Sequence, residues 1–201
     1  MSQETSLEAK VAWITGGGSG IGLAGAIELA RAGCRVVISG RDEAKLHAAI
    51  ESAVAQGVPR GAISAAVLDV ADKDAVAATA KAITQDLGGV DILVNSAGVN
   101  YPKRYWKETD ASTFERVVAI NLNGAAYCTF AVVAGMRARG QGTVINVASF
   151  AGFFPVPEPR YTILVDTCTG EDKGHPPPFD FPGKERWRNE LFALGISFEQ
   201  I

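Results

Sequence analysis

Residues 15–22 read TGGGSGIG, and four glycines and a serine fall within the six positions Gly16–Ile21. The stretch follows an apolar run, KVAWIT (10–15), and opens GIGLAGAIELARAG (20–33), which reads as a helix closed by Gly33. A glycine turn between a strand and a helix lets backbone N–H groups and the helix N-terminus hold a pyrophosphate. A βα turn without a ligand is the bland alternative, but it needs far fewer glycines. A GxGxxG match occurs at Gly20, Gly22 and Gly25, yet it begins about six residues past the strand, inside the helix. The spacing that fits the turn is Gly16-x-x-x-Gly20-x-Gly22.

Outward from this turn the chain alternates. RVVISG (35–40), AISAAVLDV (62–70), VDILVNSAG (90–98) and GTVINVAS (142–149) read as four further strands. Asp42 and Asp72 are expected to cap intervening helices that stop at Gly57 and at Gly88-Gly89. Asp110 starts one helical stretch, and Asn123 falls in or near another that stops at Gly140. Strands this apolar, each followed by a helix, need cover on both faces. The expected fold is therefore α/β, a Rossmann-type doubly wound parallel sheet with its crevice at the carboxyl ends of the strands.

The alternation stops near residue 158. The remaining segment holds five of the nine prolines, including HPPPFDFPG (175–183), and one helical stretch over roughly 184–194. The organisation read from the sequence is a dinucleotide-binding domain over 1–158 and an irregular, proline-rich tail over 159–201. With no sixth strand legible, the sheet is expected to end at its fifth, with that strand as an open edge. A shifted reading frame, a different splice product, an incomplete gene model or genuine divergence would each produce such a break.

Composition bounds the function classes. The chain has 201 residues, 47% of them hydrophobic and 20% charged, and a net charge of −3. That balance gives no electrostatic reason to expect nucleic acid or an anionic membrane as a partner. No uninterrupted apolar run approaches the roughly 18 residues of a membrane span, and residues 1–9 lack the order of a signal peptide. Three scattered cysteines, without a CxxC pair, read as reduced thiols in a cytoplasmic protein and not as a metal site. The basic and aromatic stretch NYPKRYWKETD (100–110) reads as a loop at the crevice mouth rather than a nucleic-acid contact. His47 and His175 lack ligand-like neighbours and are given no role.

The turn resembles the Thr-Gly-x-x-x-Gly-x-Gly fingerprint of the short-chain dehydrogenase/reductase family, and further matches occur in order along the chain. LDV (68–70) lies where the family's aspartate meets adenine. NSAG (95–98) is similar to its Asn-Asn-Ala-Gly, with Ser96 in place of the second asparagine. INLNG (120–124) places Asn121 at the family's structural and catalytic asparagine, and NVAS (146–149) places Ser149 at its catalytic serine. The resemblance covers about residues 8–157. It implies an oxidoreductase that transfers hydride between a nicotinamide and a small-molecule carbonyl or alcohol. Gly16, Ser19, Gly20, Ile21, Gly22 and Arg41 would then hold phosphates, while Asp69, Val70, Asn95, Ala97 and Gly98 would line the adenine and ribose side. The apolar stretch 125–136 reads by default as a buried helix, or, as the resemblance implies, as part of a homo-oligomer interface.

The coenzyme is read from the end of the second strand. An NAD site wants a carboxylate there for the ribose hydroxyls. Gly40 and Arg41 stand in its place, and a guanidinium suits a 2′-phosphate, so NADP(H) is favoured over NAD(H). The alternative is that Arg41 is a solvated residue beside Asp42.

The catalytic set is incomplete. Family spacing from Ser149 puts the tyrosine at Thr162, one residue after Tyr161, and the lysine four residues past Tyr161 is replaced by Val165. A free phenol has a pKa near 10, and an adjacent ammonium is what lowers it. Two readings of Tyr161 stand: a retained catalytic tyrosine, or an incidental one. The function reads accordingly as an NADP(H)-dependent oxidoreductase with impaired turnover, or as a non-catalytic nucleotide-binding or inactive truncated product.

Overall fold

Strict alternation along short apolar runs sends odd and even residues to opposite faces of a sheet, and both faces here are apolar. The structure is a computed structural model that describes residues 7–100 and 110–148, together with the backbone of a strand over 162–166. The first compact unit runs over Met1–Thr167. Its strands are β1 (Val11–Thr15), β2 (Arg35–Gly40), β3 (Ile63–Val67), β4 (Ile92–Asn95), β5 (Thr143–Ala148) and β6 (Thr162–Asp166). Their order in the sheet is β3-β2-β1-β4-β5-β6, and every pairing is parallel. This is a doubly wound sheet whose direction of travel reverses between β1 and β4.

The helices are α1 (Gly20–Arg31), α2 (Glu43–Ala55), α3 (Lys73–Leu87), α4 (Ala111–Val118) and α5 (Ala125–Arg139). Ala12, Ile14, Val36 and Ile38 point to one face and bury Ala26, Ile27, Leu46 and Ala49 of α1 and α2. Val11, Trp13, Val37 and Leu93 point to the other and meet Val76 and Ile83 of α3 and Cys128, Val132 and Met136 of α5. Each of these fully buried Ile, Val or Leu side chains contributes about 1.5–3 kcal/mol relative to exposure.

Two expectations are corrected. The two helical stretches read after Asp110 form one continuous helix, in which Ala119–Gly124 makes a π turn between α4 and α5. Nothing breaks it: Gly124 keeps a helical φ of −58°. A Cβ at Gly124 would come within 2.6 Å of the Val70 side chain, so glycine lets the widened turn lie against the segment that follows β3. The fifth strand is also not an edge, because β6 pairs along it with Val165 in register with Val147. The run TILV is apolar and rich in β-branched residues, a composition that suits a strand better than a helix.

The helix from Ala111 to Arg139 is long and apolar enough to cross a membrane by length and composition alone. The polar Asn121 and Asn123 interrupt its apolar run. In this fold Cys128, Val132 and Met136 put one side of it into the core, while Phe114, Leu122 and Phe130 are exposed on another.

Trp13 is fully buried and donates its indole N–H to the Ser39 hydroxyl at 2.8 Å, itself fully buried. Trp13→Phe removes that donor and shrinks the side chain. It is expected to destabilise the protein by about 2–4 kcal/mol in urea unfolding, and adding Ser39→Ala should recover roughly 1 kcal/mol.

Candidate functional site

Thr15 ends β1 and its side chain faces β4. Its Oγ1 accepts the backbone N–H groups of Ser96 and Ala97 at 3.2 and 3.1 Å, which ties the glycine turn to the NSAG segment. The approach there is too close for any side chain. Gly16 has φ +69°, and a Cβ on it would lie 2.7 Å from the Ser96 carbonyl oxygen. A Cβ on Gly22 would lie 2.5 Å from the Gly16 carbonyl oxygen, whereas at Gly25 nothing lies within 4 Å. The turn spacing Gly16, Gly20, Gly22 thus has a structural role, and the third glycine of the GxGxxG match does not.

Helix α1 starts from this turn with Ser19 at its N-cap, extended and making no side-chain cap bond. Asp42, Asp72 and Asp110 do cap α2, α3 and α4 with side-chain bonds to backbone N–H groups. The first turn of α1 also holds no acidic residue. Its N-terminal amides and partial positive charge are left for an anion.

A cleft of about 200 Å³ opens beside this helix end. It brings together Gly16, Ser19, Arg41, Asp69, Val70, Ala97 and Gly98, all expected from the sequence. Leu68, Val99 and Ile120 add apolar wall, and Lys45 adds a second cation. Gly20, Ile21 and Gly22 form the opening of α1, with Ile21 exposed. A larger hollow of about 350 Å³ lies between α3 and α5, lined by Ala80, Lys81 and Thr84, away from the glycine turn. It carries none of the residues expected from the motifs.

Asp69 comes just after β3 at the cleft wall. Its Oδ1 accepts the Ala71 N–H at 3.1 Å and its Oδ2 accepts from Arg116 Nη2 at 2.7 Å. Burial pushes this carboxyl up, but the Arg116 hydrogen bond, the Ala71 N–H and the charges of Arg116 and Arg41 outweigh it. The net effect holds the carboxyl below its ordinary range, so Asp69 is an anion at neutral pH.

Asn95 and Asn121 occupy different places from the rest. Asn95 is buried, and its Nδ2 lies within bonding reach of Ala125 O, Thr129 Oγ1 and Asn146 Oδ1, at 3.3, 3.2 and 2.9 Å. It ties β4 to α5 and β5 and does not line the cleft. Asn121 sits in the π turn and grips the backbone of Val99 twice, accepting its N–H at 2.8 Å and donating to its carbonyl at 2.9 Å. Ser149 and Tyr161, like the 101–109 loop and the tail helix read at 184–194, lie outside the described residues. Neither Arg116 nor Lys45 belongs to a motif legible in the sequence. Lys45 stands four residues after Arg41, a signal available in the chain, whereas Arg116 is 47 residues from Asp69 and no local pattern marks it.

A parallel sheet in this order, with a glycine turn at the point where it reverses, defines a nucleotide-binding α/β domain. The chain belongs to the short chain dehydrogenase family, whose profile matches residues 10–161. It is 40% identical over 152 residues to the probable oxidoreductase EphD of Mycobacterium tuberculosis, covering 71% of this chain and 24% of that protein. The chain therefore spans about a quarter of that curated relative's length. Among solved structures it is similar to a metagenomic short-chain oxidoreductase in complex with NADP, with TM-score 0.68, 35% identity, and coverage of 76% of this chain and 67% of that one. It is also similar to an NAD+-bound xylitol dehydrogenase, with TM-score 0.67, 32% identity, and coverage of 74% and 56%.

The two glycines make opposite predictions. Gly22→Ala is expected to cost roughly 1–3 kcal/mol through its clash with the Gly16 carbonyl. Gly25→Ala, in open space within α1, is expected to be neutral or to stabilise by about 0.5–1 kcal/mol. Thermal unfolding of the two variants side by side checks both.

Proposed function

We propose that the cleft beside α1 takes a nicotinamide dinucleotide, with NADP(H) preferred over NAD(H), and that the chain is an oxidoreductase acting on a small-molecule carbonyl or alcohol. The observation that carries this reading is the uncapped start of α1 meeting Arg41 in one cleft. Gly16, Ser19, Gly20, Ile21 and Gly22 would offer backbone amides to the diphosphate, and Arg41 would pair with a 2′-phosphate. Asp69, Val70, Ala97 and Gly98 would bound the adenine and ribose side. The bound nicotinamide would supply or accept the hydride. Asn121 would hold the loop after β4 through Val99, and Ser149 and Tyr161 would orient the substrate oxygen and exchange its proton. The free, buried Cys34 and Cys128 suit a reducing, cytoplasmic compartment. A second copy of the chain would find an apolar face at the exposed Leu122 and Phe130.

A specific observation favours a second reading, dinucleotide binding with little or no turnover. Val165 stands four residues after Tyr161, in a strand and not in a helix carrying a lysine. Without that cation the phenol stays protonated at neutral pH, which harms alcohol oxidation more than carbonyl reduction.

Fluorescence titration with NADPH and NADH, beside a reductase screen on simple aldehydes and ketones, separates the readings. The wild-type chain is expected to bind NADPH more tightly than NADH. Arg41→Ala should weaken NADPH by about tenfold to a hundredfold and NADH little, as loss of a charge-assisted bidentate contact implies. Folded protein that ignores both coenzymes at millimolar concentration overturns the proposal. Binding without turnover supports the second reading.

A further inference from the structure

Among the described residues, the charged side chains that line the cleft are Arg41 and Lys45 against Asp42 and Asp69. Formally they cancel. Asp42 is engaged in capping α2, where its side chain accepts the Lys45 N–H at 3.0 Å. Asp69 lines the same cleft as Arg41 and feels its charge. Just behind it, in the last turn of α4, Arg116 donates to Asp69 Oδ2 at 2.7 Å. Only about a third of each side chain in this pair is exposed, at 36% and 34%. Screening by water is therefore reduced compared with a free surface pair.

We propose that Arg116 is a positioning residue that sets coenzyme preference, holding and neutralising Asp69 so that Arg41 remains available to the 2′-phosphate of NADP(H). The inference rests on reading the cleft as a dinucleotide site. Without Arg116, the Asp69 carboxylate would lose its partner at Oδ2 and turn to the other arginine whose charge it already feels, Arg41. It would also repel the phosphate directly. NAD(H) carries a neutral hydroxyl at that position, so the same loss would leave it largely unaffected. The consequence is selective. A purely structural arginine would alter the binding of both coenzymes together.

Dissociation constants for NADPH and NADH in the full chain test this, each variant being checked for cooperative thermal unfolding. Arg116→Gln is expected to weaken NADPH about tenfold and NADH less than about threefold, with Arg116→Lys restoring most of the loss. In an Asp69→Asn background, Arg116→Gln should move the ratio of the two constants less than it does in the wild-type chain, because no carboxylate remains to draw Arg41 away. Asp69→Asn alone gives an independent measure should Arg116→Gln fail to fold: it is expected to move the ratio further toward NADPH. Equal losses for both coenzymes overturn the proposal. So does an undiminished Arg116→Gln effect in the Asp69→Asn background, or a ratio that moves toward NADH in Asp69→Asn. If the wild type binds neither coenzyme or prefers NADH, the reading of the cleft falls with it. If Arg41→Ala abolishes the preference while Arg116→Gln leaves it intact, the cleft reading survives and this inference alone falls.

Discussion

The turn between β1 and α1 lies against the end of β4 with no room between the two backbones. Gly16 and Gly22 have no Cβ because the Ser96 and Gly16 carbonyl groups already occupy that space. The Thr15 hydroxyl fixes the same approach from the strand side by accepting two N–H groups of the NSAG segment. Side chains are thereby excluded from the point where the sheet reverses, and bare backbone amides are what remains to face a ligand. Sheet order and glycine turn are in this sense one constraint: β1 and β4 must be neighbours for the contact to exist, and the contact is what shapes the crevice.

Capping obeys the same division of labour. Three helices begin at aspartates that satisfy their first N–H groups internally, at Asp42, Asp72 and Asp110. Helix α1 instead begins at the crevice with neither a cap bond nor an acidic residue in its first turn. An aspartate there would satisfy the same amides and repel a phosphate. The opposite wall is set by the π turn. Gly124 lets it close on Val70, and Asn121 commits both polar atoms of its side chain to Val99, so the loop leaving β4 is held from behind. π turns inserted into helices are frequently found at functional positions, and here the insertion is what brings Asn121 to that loop.

The parts of this arrangement legible in the sequence are those set by neighbours in the chain. Strand β1 reads from VAWIT, and Asp42 and Asp72 read as caps, because a run and a cap each need only a few adjacent residues. The turn spacing is distinguishable from the overlapping GxGxxG because the latter starts beyond the strand. Long-range ties are not legible. Asn95 reads as part of a ligand-facing motif, yet its partners are 30 to 51 residues away and turn it inward. Arg116 looks like any helix-surface arginine until the fold brings it to Asp69. The continuity of the helix through Asn121 is hidden for a different reason: Asn and Gly within INLNG mark a break in most sequences, and here packing against Val70 overrides them.

Strand β6 bears on chemistry as well as topology. A tyrosine and a lysine four residues apart share one face of a helix, about one turn of 5.4 Å from each other. Four residues of strand cover about 13 Å instead. Because 162–166 pairs as strand along β5, position 165 is not one helical turn beyond 161 whatever residue occupies it. Restoring a lysine there would therefore not by itself rebuild the pair that lowers a phenol's pKa; the backbone would have to leave the sheet first.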